Sequence, residues 1–258
     1  MSTTERPPGI SAAAPGSPAP AGSARSLLRT LGVLMALVAI LFTTLSIIGS
    51  LARDSRAVQV EYAGVRVVDV DVAAESVVVV AGTAASTDVR LDRTISWSWK
   101  KPTFSQRQEG DRLVVRSSCP FSFGRGCGGT VRLVVPPATT VRAATSAGAV
   151  RATGLSGVLV LNSSAGSVEA TGLRSPDVTA TSSAGSVRLT FSVAATKVRA
   201  DSSAGSVEVA LPQGTESYRV NADSSAGSTD VTVRTDPAAH RALDVQSSAG
   251  SVRVGYAG

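Results

Sequence analysis

The chain has 258 residues, of which 43% are hydrophobic and only 4% aromatic, and its formal net charge is +6. Two cysteines and one histidine supply too few ligands for an ordinary zinc site. The positive charges are spread along the chain without a basic tract, a distribution that argues against nucleic-acid binding.

Residues 1–26 are rich in proline, alanine, serine and glycine and have little to bury, so we predict a disordered tail.

An uncharged apolar segment follows at residues 31–51. As a helix it would be about 32 Å long, enough to cross a bilayer core of about 30 Å. We therefore predict a single-pass transmembrane helix over residues 27–51. A cleaved signal peptide is the alternative, because Ser50-Leu51-Ala52 has a small-x-small pattern. The long leader and the length of the apolar segment favour an anchor.

Cys119 and Cys127 are the only two cysteines, and they bracket a glycine-containing loop. This spacing favours a structural disulfide formed in an oxidising compartment, and a redox or metal role is the alternative. Arginines flank both ends of the apolar segment and do not orient it. The expected disulfide indicates the orientation, because it needs an oxidising compartment. We therefore expect residues 53–258 outside the membrane and the tail in the cytoplasm. We expect residues 53–258 to form one extracytoplasmic domain in the cell membrane.

Alternating apolar and polar residues between positions 53 and 140 predict several strands, beginning with Val65–Val72. A stack of β-strands needs a cover for its terminal backbone groups and apolar edge. We therefore expect residues 53–140 to form an N-terminal β cap for the repeats that follow at residues 141–258.

A short motif recurs through residues 141–258. Five copies of Ser-Ser-Ala-Gly-Ser begin at Ser163, Ser182, Ser202, Ser224 and Ser247, and a degenerate copy begins at Thr145. Apolar residues alternate with polar ones on both sides of each copy, so each repeat is predicted to be strand, tight turn, strand. Glycine is expected in the turn because it tolerates positive φ. The fold class is thus all-β, a β-solenoid of about six stacked rungs.

The first polar residue after each turn gives a column of charges along the stack. If rungs stack in chain order, the column runs Arg151, Glu169, Arg188, Glu208, Asp230, Arg253. The signs alternate except at Glu208 and Asp230, and alternation suits neighbouring strands because opposed like charges destabilise a pair. We therefore predict that rungs adjacent in sequence are neighbours in space.

Two groups of side chains are candidate ligand sites. Stacking in chain order would place four acids, Asp201, Asp223, Glu208 and Asp230, on adjacent rungs, where their oxygens could hold a cation such as calcium. Solvated strand faces are the favoured interpretation, because no dense ligand loop is present. Trp97 and Trp99 share a strand face and could form a platform for a glycan ring, or could instead plug an end of the sheet.

No catalytic residues and no cofactor site are predicted. The serine-rich motif lacks the Gly-x-Ser-x-Gly pattern of a nucleophile elbow, and the lone His240 cannot act as base for six turns. Stacked turn residues are the simpler interpretation of the serines.

The chain resembles a family of bacterial cell-envelope proteins that carry a β-strand-repeat domain of unknown function and are named as adhesins. The resemblance covers roughly residues 60–258. It lies in the Val65–Val72 strand, Ser118-Cys119-Pro120 with Cys127, Val134-Val135-Pro136 and the Ser-Ala-Gly-Ser-Val-x-Val turns. It implies an extracytoplasmic, solenoid-like domain related in shape to the toast-rack domains of envelope-stress proteins, with no established catalytic activity.

These observations favour a membrane-anchored, non-enzymatic scaffold or adhesion module. Its expected partners are cell wall, a surface glycan, an envelope protein or further copies of itself, with the membrane contacted through residues 27–51. An envelope-stress sensory or regulatory protein is the alternative. A carbohydrate-active β-helix enzyme is less favoured, because it needs paired carboxylates and the exposed acids are interleaved with arginine.

Overall fold

A computed structural model describes residues 54–97, 101–119 and 127–257, together with the isolated positions 32, 35 and 36. The predicted tail at residues 1–26 lies outside the described residues, as does the predicted helix at 27–51 apart from those three positions. In the part of the chain that is described, no helix is both long and apolar enough to span a bilayer.

The described residues form strands separated by turns and short connections. In chain order they are β1 (Asp54–Ala63), β2 (Val67–Val72), β3 (Glu75–Ala81), β4 (Asp88–Trp97), β5 (Thr103–Glu109), β6 (Arg112–Ser118), β7 (Gly128–Val135), β8 (Thr140–Thr145), β9 (Val150–Thr153), β10 (Leu159–Ser163), β11 (Val168–Leu173), β12 (Asp177–Ser182), β13 (Val187–Phe191), β14 (Lys197–Ala204), β15 (Val207–Leu211), β16 (Arg219–Ala226), β17 (Thr229–Val231), β18 (Ala242–Ala249) and β19 (Val252–Tyr256). The predicted all-β class is confirmed.

The strands make two sheets. The first sheet has the order β1-β4-β7-β3-β9-β11-β13-β15-β19-β17, and the second has the order β16-β18-β14-β12-β10-β8-β2-β6-β5. Each motif turn joins a strand of the second sheet to the next strand of the first sheet, and we call this unit a rung. Within each sheet, strands of neighbouring rungs pair in parallel and in register, for example β10 with β12 and β11 with β13.

Antiparallel strands close one end of the stack. Strands β1 and β4 extend the first sheet and β5 edges the second sheet, all from the region expected to form a cap. Strands β2, β3, β6 and β7 come from the same region but pair in parallel and continue the stack. Of the strands described in this region, β1, β4 and β5 cover the end, and the others have the same one-sided apolar pattern as the repeats.

The core lies between the two sheets and consists of the apolar residues that flank each turn. Leu159 and Leu161 before a turn, and Val168 and Ala170 after it, are all fully buried. Complete burial of a valine or leucine side chain contributes about 1.5–3 kcal/mol, which makes this alternation the main source of stability. The rung of β16 and β17 differs, since its apolar side chains are only half-buried and Thr229 is exposed.

The order of the last two rungs in space differs from their order in sequence. Strand β18 lies between β14 and β16, and β19 lies between β15 and β17, so the final repeat is inserted into the stack. The expectation that consecutive rungs are always neighbours is wrong here. The connections at residues 212–218 and 232–241 are longer than those at 154–158, 174–176 and 192–196, and they allow the chain to skip a strand position and return.

Candidate functional site

The first serine of each motif holds neighbouring rungs together. Its hydroxyl is directed into the turn and donates a hydrogen bond to the carbonyl of a glycine in the adjacent rung. The pairs are Ser163 to Gly148 at 2.8 Å, Ser182 to Gly166 at 2.9 Å, Ser202 to Gly185 at 2.8 Å, Ser247 to Gly205 at 2.9 Å and Ser224 to Gly250 at 2.6 Å. These hydroxyls satisfy carbonyl groups inside the stack, which is a structural role.

The glycine of the motif is required by close approach. A Cβ added to Gly166 would lie 2.1 Å from the Gly148 carbonyl oxygen, and one added to Gly205 would lie 2.5 Å from the Gly185 carbonyl oxygen. Among the motif glycines only Gly250 has positive φ, at 152°. The prediction that the turn needs glycine for positive φ is therefore wrong for the others, since contact between backbones excludes a side chain.

The inserted rung completes a ladder of alternating charge on the outer face of the first sheet. In spatial order the column is Arg151, Glu169, Arg188, Glu208, Arg253, Asp230. Salt bridges join Arg151 to Glu169 at 3.4 Å, Arg188 to Glu208 at 3.0 Å and Arg253 to Asp230 at 3.8 Å. The break in alternation that the sequence suggests at Glu208 and Asp230 is absent, because Arg253 lies between them. Exposed pairs of this kind contribute about 0–1 kcal/mol each, so the ladder serves register more than stability.

The acids considered for a cation site do not form one cluster. On the second sheet, Asp201 and Asp223 both lie opposite Gln246, so one strand separates their backbones. Their expected position on adjacent rungs is wrong because the inserted strand β18 intervenes.

The other two candidate acids lie on the first sheet, where Arg253 separates Glu208 from Asp230. A guanidinium between two carboxylates competes with a cation for their charge. Within the described residues, no group of three or more His, Cys, Asp or Glu side chains is placed to hold a metal ion.

A polar groove of about 410 Å³ lies over the second sheet where β14, β18 and β16 meet their turns. Its lining includes Arg199, Asp201, Asp223 and Gln246, together with serine hydroxyls of the motif turns. Arg199 Nε lies 2.8 Å from Asp201 Oδ2. Burial raises the pKa of the Asp201 carboxyl, and the charge of Arg199 opposes this shift. The groove therefore offers hydroxyl, carboxylate, amide and guanidinium groups side by side, which suits a ligand rich in hydroxyls.

The predicted disulfide is confirmed, since Cys119 and Cys127 are joined with an S–S distance of 2.09 Å. It closes the connection from β6 to β7, where the other rungs have a tight turn. A crosslink over so short a loop stabilises a fold by about 2–3 kcal/mol, chiefly by restricting the unfolded chain.

Neither Trp97 nor His240 lines the groove. Trp97 is half-buried at the end of β4, with Lys101 Nζ 5.8 Å from its ring centroid, whereas Trp99 lies outside the described residues. His240 is exposed in the connection before β18. Sequence reasoning singled out Asp201 and Asp223 but missed Arg199 and Gln246 as their neighbours. Thr229 begins β17 at a position that is apolar in the other repeats. This polar residue was the signal in the sequence that its rung lies at the end of the stack.

Comparison with known proteins identifies the family. The model of the family described as "Toastrack DUF4097" matches residues 68–254, and the chain belongs to this family of unknown function. No curated protein matches the chain.

The chain is also similar to two solved structures. A "putative cell adhesion protein" from Clostridium sporogenes ATCC 15579 has 10% identity and a TM-score of 0.46, covering 79% of this chain and 100% of its own. A "putative adhesin" from Bacteroides fragilis NCTC 9343 has 13% identity and a TM-score of 0.38, covering 77% of this chain and 97% of its own.

Proposed function

We propose that this protein is a non-enzymatic interaction module, tethered to the cell membrane by residues 27–51 and presenting its β domain outside the cytoplasm. The disulfide between Cys119 and Cys127 supports an oxidising compartment. The uncharged segment at residues 31–51 has the length of a membrane span.

The observation that carries the proposed activity is the polar groove on the second sheet. Arg199 is held between Asp201, at 2.8 Å, and Asp244, at 3.0 Å, so its guanidinium is fixed before a ligand arrives. Asn221 also donates to Asp244 at 3.0 Å. Groups held by such contacts bind with a smaller loss of conformational entropy. A polymer of the cell envelope with many hydroxyl groups, such as cell-wall glycan, fits this set of donors and acceptors.

Topology can be measured on the full chain in intact bacteria. Both native cysteines are in the disulfide, so an added cysteine provides the thiol that a membrane-impermeant maleimide can label. We expect Ser203→Cys, which is exposed near the end of β14, to be labelled in intact cells and Ser17→Cys only after lysis. Labelling of Ser17→Cys alone in intact cells would reverse the proposed orientation.

Binding can be measured by sedimenting the detergent-solubilised full chain with isolated cell walls. We expect Asp223→Ala/Gln246→Ala to reduce the bound fraction several-fold, because both side chains line the groove. Glu169→Ala/Arg253→Ala is the matched control, since the half-buried Glu169 and the exposed Arg253 lie on the outer face of the opposite sheet. Equal losses in both variants, or no sedimentation of the native chain, would contradict the role of the groove.

A further inference from the structure

A second cavity lies at the end of the stack that is closed by antiparallel strands. It has a volume of about 420 Å³ and lies where β1 and β4 of the first sheet face the start of β5 in the second. Arg93, Ile95 and Trp97 of β4 contribute to its wall, and Phe104 contributes from β5. Strand order places this cavity at the opposite end of the sheets from β16 and β17, so it is separate from the groove.

Three cations line this cavity. They are Arg56, Arg93 and Lys101, and no carboxylate is found among the lining residues whose side chains are described. Burial lowers the pKa of the Arg93 guanidinium; Tyr62 opposes this shift and the positive charge of Arg56 adds to it. Elsewhere on the sheets arginine is commonly paired with an acid, as in the ladder of the first sheet. Like charges gathered in one cavity repel each other, and an anion relieves that repulsion.

Two aromatic rings accompany the cations. The guanidinium of Arg93 lies over the Phe104 ring at 4.0 Å from its centroid, and Lys101 Nζ lies 5.8 Å from the Trp97 centroid. These contacts hold the cationic groups beside flat apolar surfaces. An indole half-buried in a cavity offers a face against which a sugar ring can pack.

We propose that this cavity binds a sugar unit that carries an anionic group, either a phosphate or a carboxylate. Arg56, Arg93 and Lys101 contact the anionic group, and Trp97 packs against the ring. Charge-assisted hydrogen bonds from arginine and lysine are about twice as strong as neutral ones, so the anionic group supplies most of the affinity. This inference goes beyond the proposed function and does not depend on the groove.

The test is calorimetric titration of the full chain in uncharged detergent with glucose 6-phosphate, glucuronate, glucose and inorganic phosphate. We expect either acidic sugar to bind at least about tenfold more tightly than glucose, because loss of one charged hydrogen bond costs about that factor. Inorganic phosphate should bind more weakly than glucose 6-phosphate, because it lacks the ring that packs against Trp97. Binding should quench tryptophan fluorescence and weaken as salt increases.

Matched double variants locate the site. Arg56→Gln/Lys101→Gln should weaken binding of the acidic sugar about tenfold or more. Arg132→Gln/Lys197→Gln changes the net charge equally at exposed positions outside the cavity and should leave binding unchanged. Circular dichroism and melting temperature establish that both variants are folded.

Each other outcome overturns the proposal. If acidic sugars bind no more tightly than glucose, the cations do not contribute to binding. If inorganic phosphate binds as tightly as glucose 6-phosphate, the cavity is an ion site and does not recognise the sugar ring. Equal loss in the two double variants would mean non-specific charge attraction. Binding to vesicles of phosphatidylglycerol and phosphatidylcholine, without binding of acidic sugars, would identify a membrane-contact surface instead.

Discussion

The glycine and the first serine of each turn set the distance between neighbouring rungs. At Ser202 the hydroxyl donates to the Gly185 carbonyl at 2.8 Å, and Gly205 approaches the same carbonyl too closely for any Cβ. Small residues in the motif are therefore explained by backbone contact between rungs.

Gly205→Ala should destabilise the protein by about 1–3 kcal/mol or more, because the new methyl group must push two backbones apart. Chemical denaturation of the full chain measures this change. Gly214→Ala is the matched control, since the atom nearest to its added Cβ is Glu216 Cγ at 4.0 Å. That variant should stay within about 0.5 kcal/mol of the native protein. Equal effects at the two glycines would contradict close approach as the reason for the motif.

Asp201 should make the stability of the protein depend on pH. Burial raises the pKa of its carboxyl in the folded state above the ordinary value of 3.8, with Arg199 opposing and Asp244 adding to the shift. A raised pKa means that the folded state holds the proton more tightly than the unfolded state. The contribution of this group is therefore greatest below pH 3.8 and declines as pH rises through the folded pKa.

Asp201→Asn removes that titration. The free energy of unfolding of the variant, relative to that of the native protein, should rise as pH increases from below 3.8 through the folded pKa. Denaturation curves recorded at a series of pH values measure the difference. Parallel pH profiles for the two proteins would show that Asp201 has the same pKa in both states.

At the scale of elements, the inserted pair β18 and β19 decides which side chains meet. Local sequence does not identify this order, because the turns are nearly identical and any two rungs can pair in register. The charges do contain the information, since only the spatial order gives alternation through Glu208, Arg253 and Asp230. The longer connections at 212–218 and 232–241 are the second signal.

Engineered disulfides can test this order. Ala204 lies opposite Ala249, and Ala249 lies opposite Ala226. Ala204→Cys/Ala249→Cys should crosslink, because directly paired strands are about 4.8 Å apart and a disulfide spans Cα distances up to about 6.8 Å. Ala204→Cys/Ala226→Cys spans two strand spacings, about 9.6 Å, and should remain reduced. Mass spectrometry of peptides under non-reducing conditions identifies the crosslinks. A crosslink in Ala204→Cys/Ala226→Cys, with none in Ala204→Cys/Ala249→Cys, would mean that the rungs stack in chain order.

At the scale of the whole molecule, the C-terminal strands β18 and β19 connect the edge strands β16 and β17 to the rest of the stack. Among the described strands, β16 pairs only with β18, and β17 pairs only with β19. Strands β18 and β19 thus lie inside the sheets, each next to an edge strand, although they come last in the sequence.

Deletion of residues 242–258 should therefore release more than the segment removed. We expect backbone amides of β16 and β17 to lose protection from hydrogen exchange, because these strands lose their hydrogen-bonded neighbours. Amides of β12 and β13, farther along the stack, should remain protected and serve as the internal control. Continued protection of β16 after the deletion would mean that it pairs with β14, as chain order predicts.

The sequence by itself determined the strand-turn-strand repeat, the buried residues of most rungs and the disulfide, because period-two alternation and cysteine spacing are local properties of the chain. It could place Trp97 with Ile95 on one strand face, but Arg56 comes from β1 and Lys101 precedes β5. Only the tertiary structure decided the position of the last repeat, the separation of Asp201 from Asp223, and the approach of Arg56, Arg93 and Lys101 to one another. These features depend on pairing between distant segments, and near-identical rungs leave that choice to long connections and to the charges that meet across the sheet.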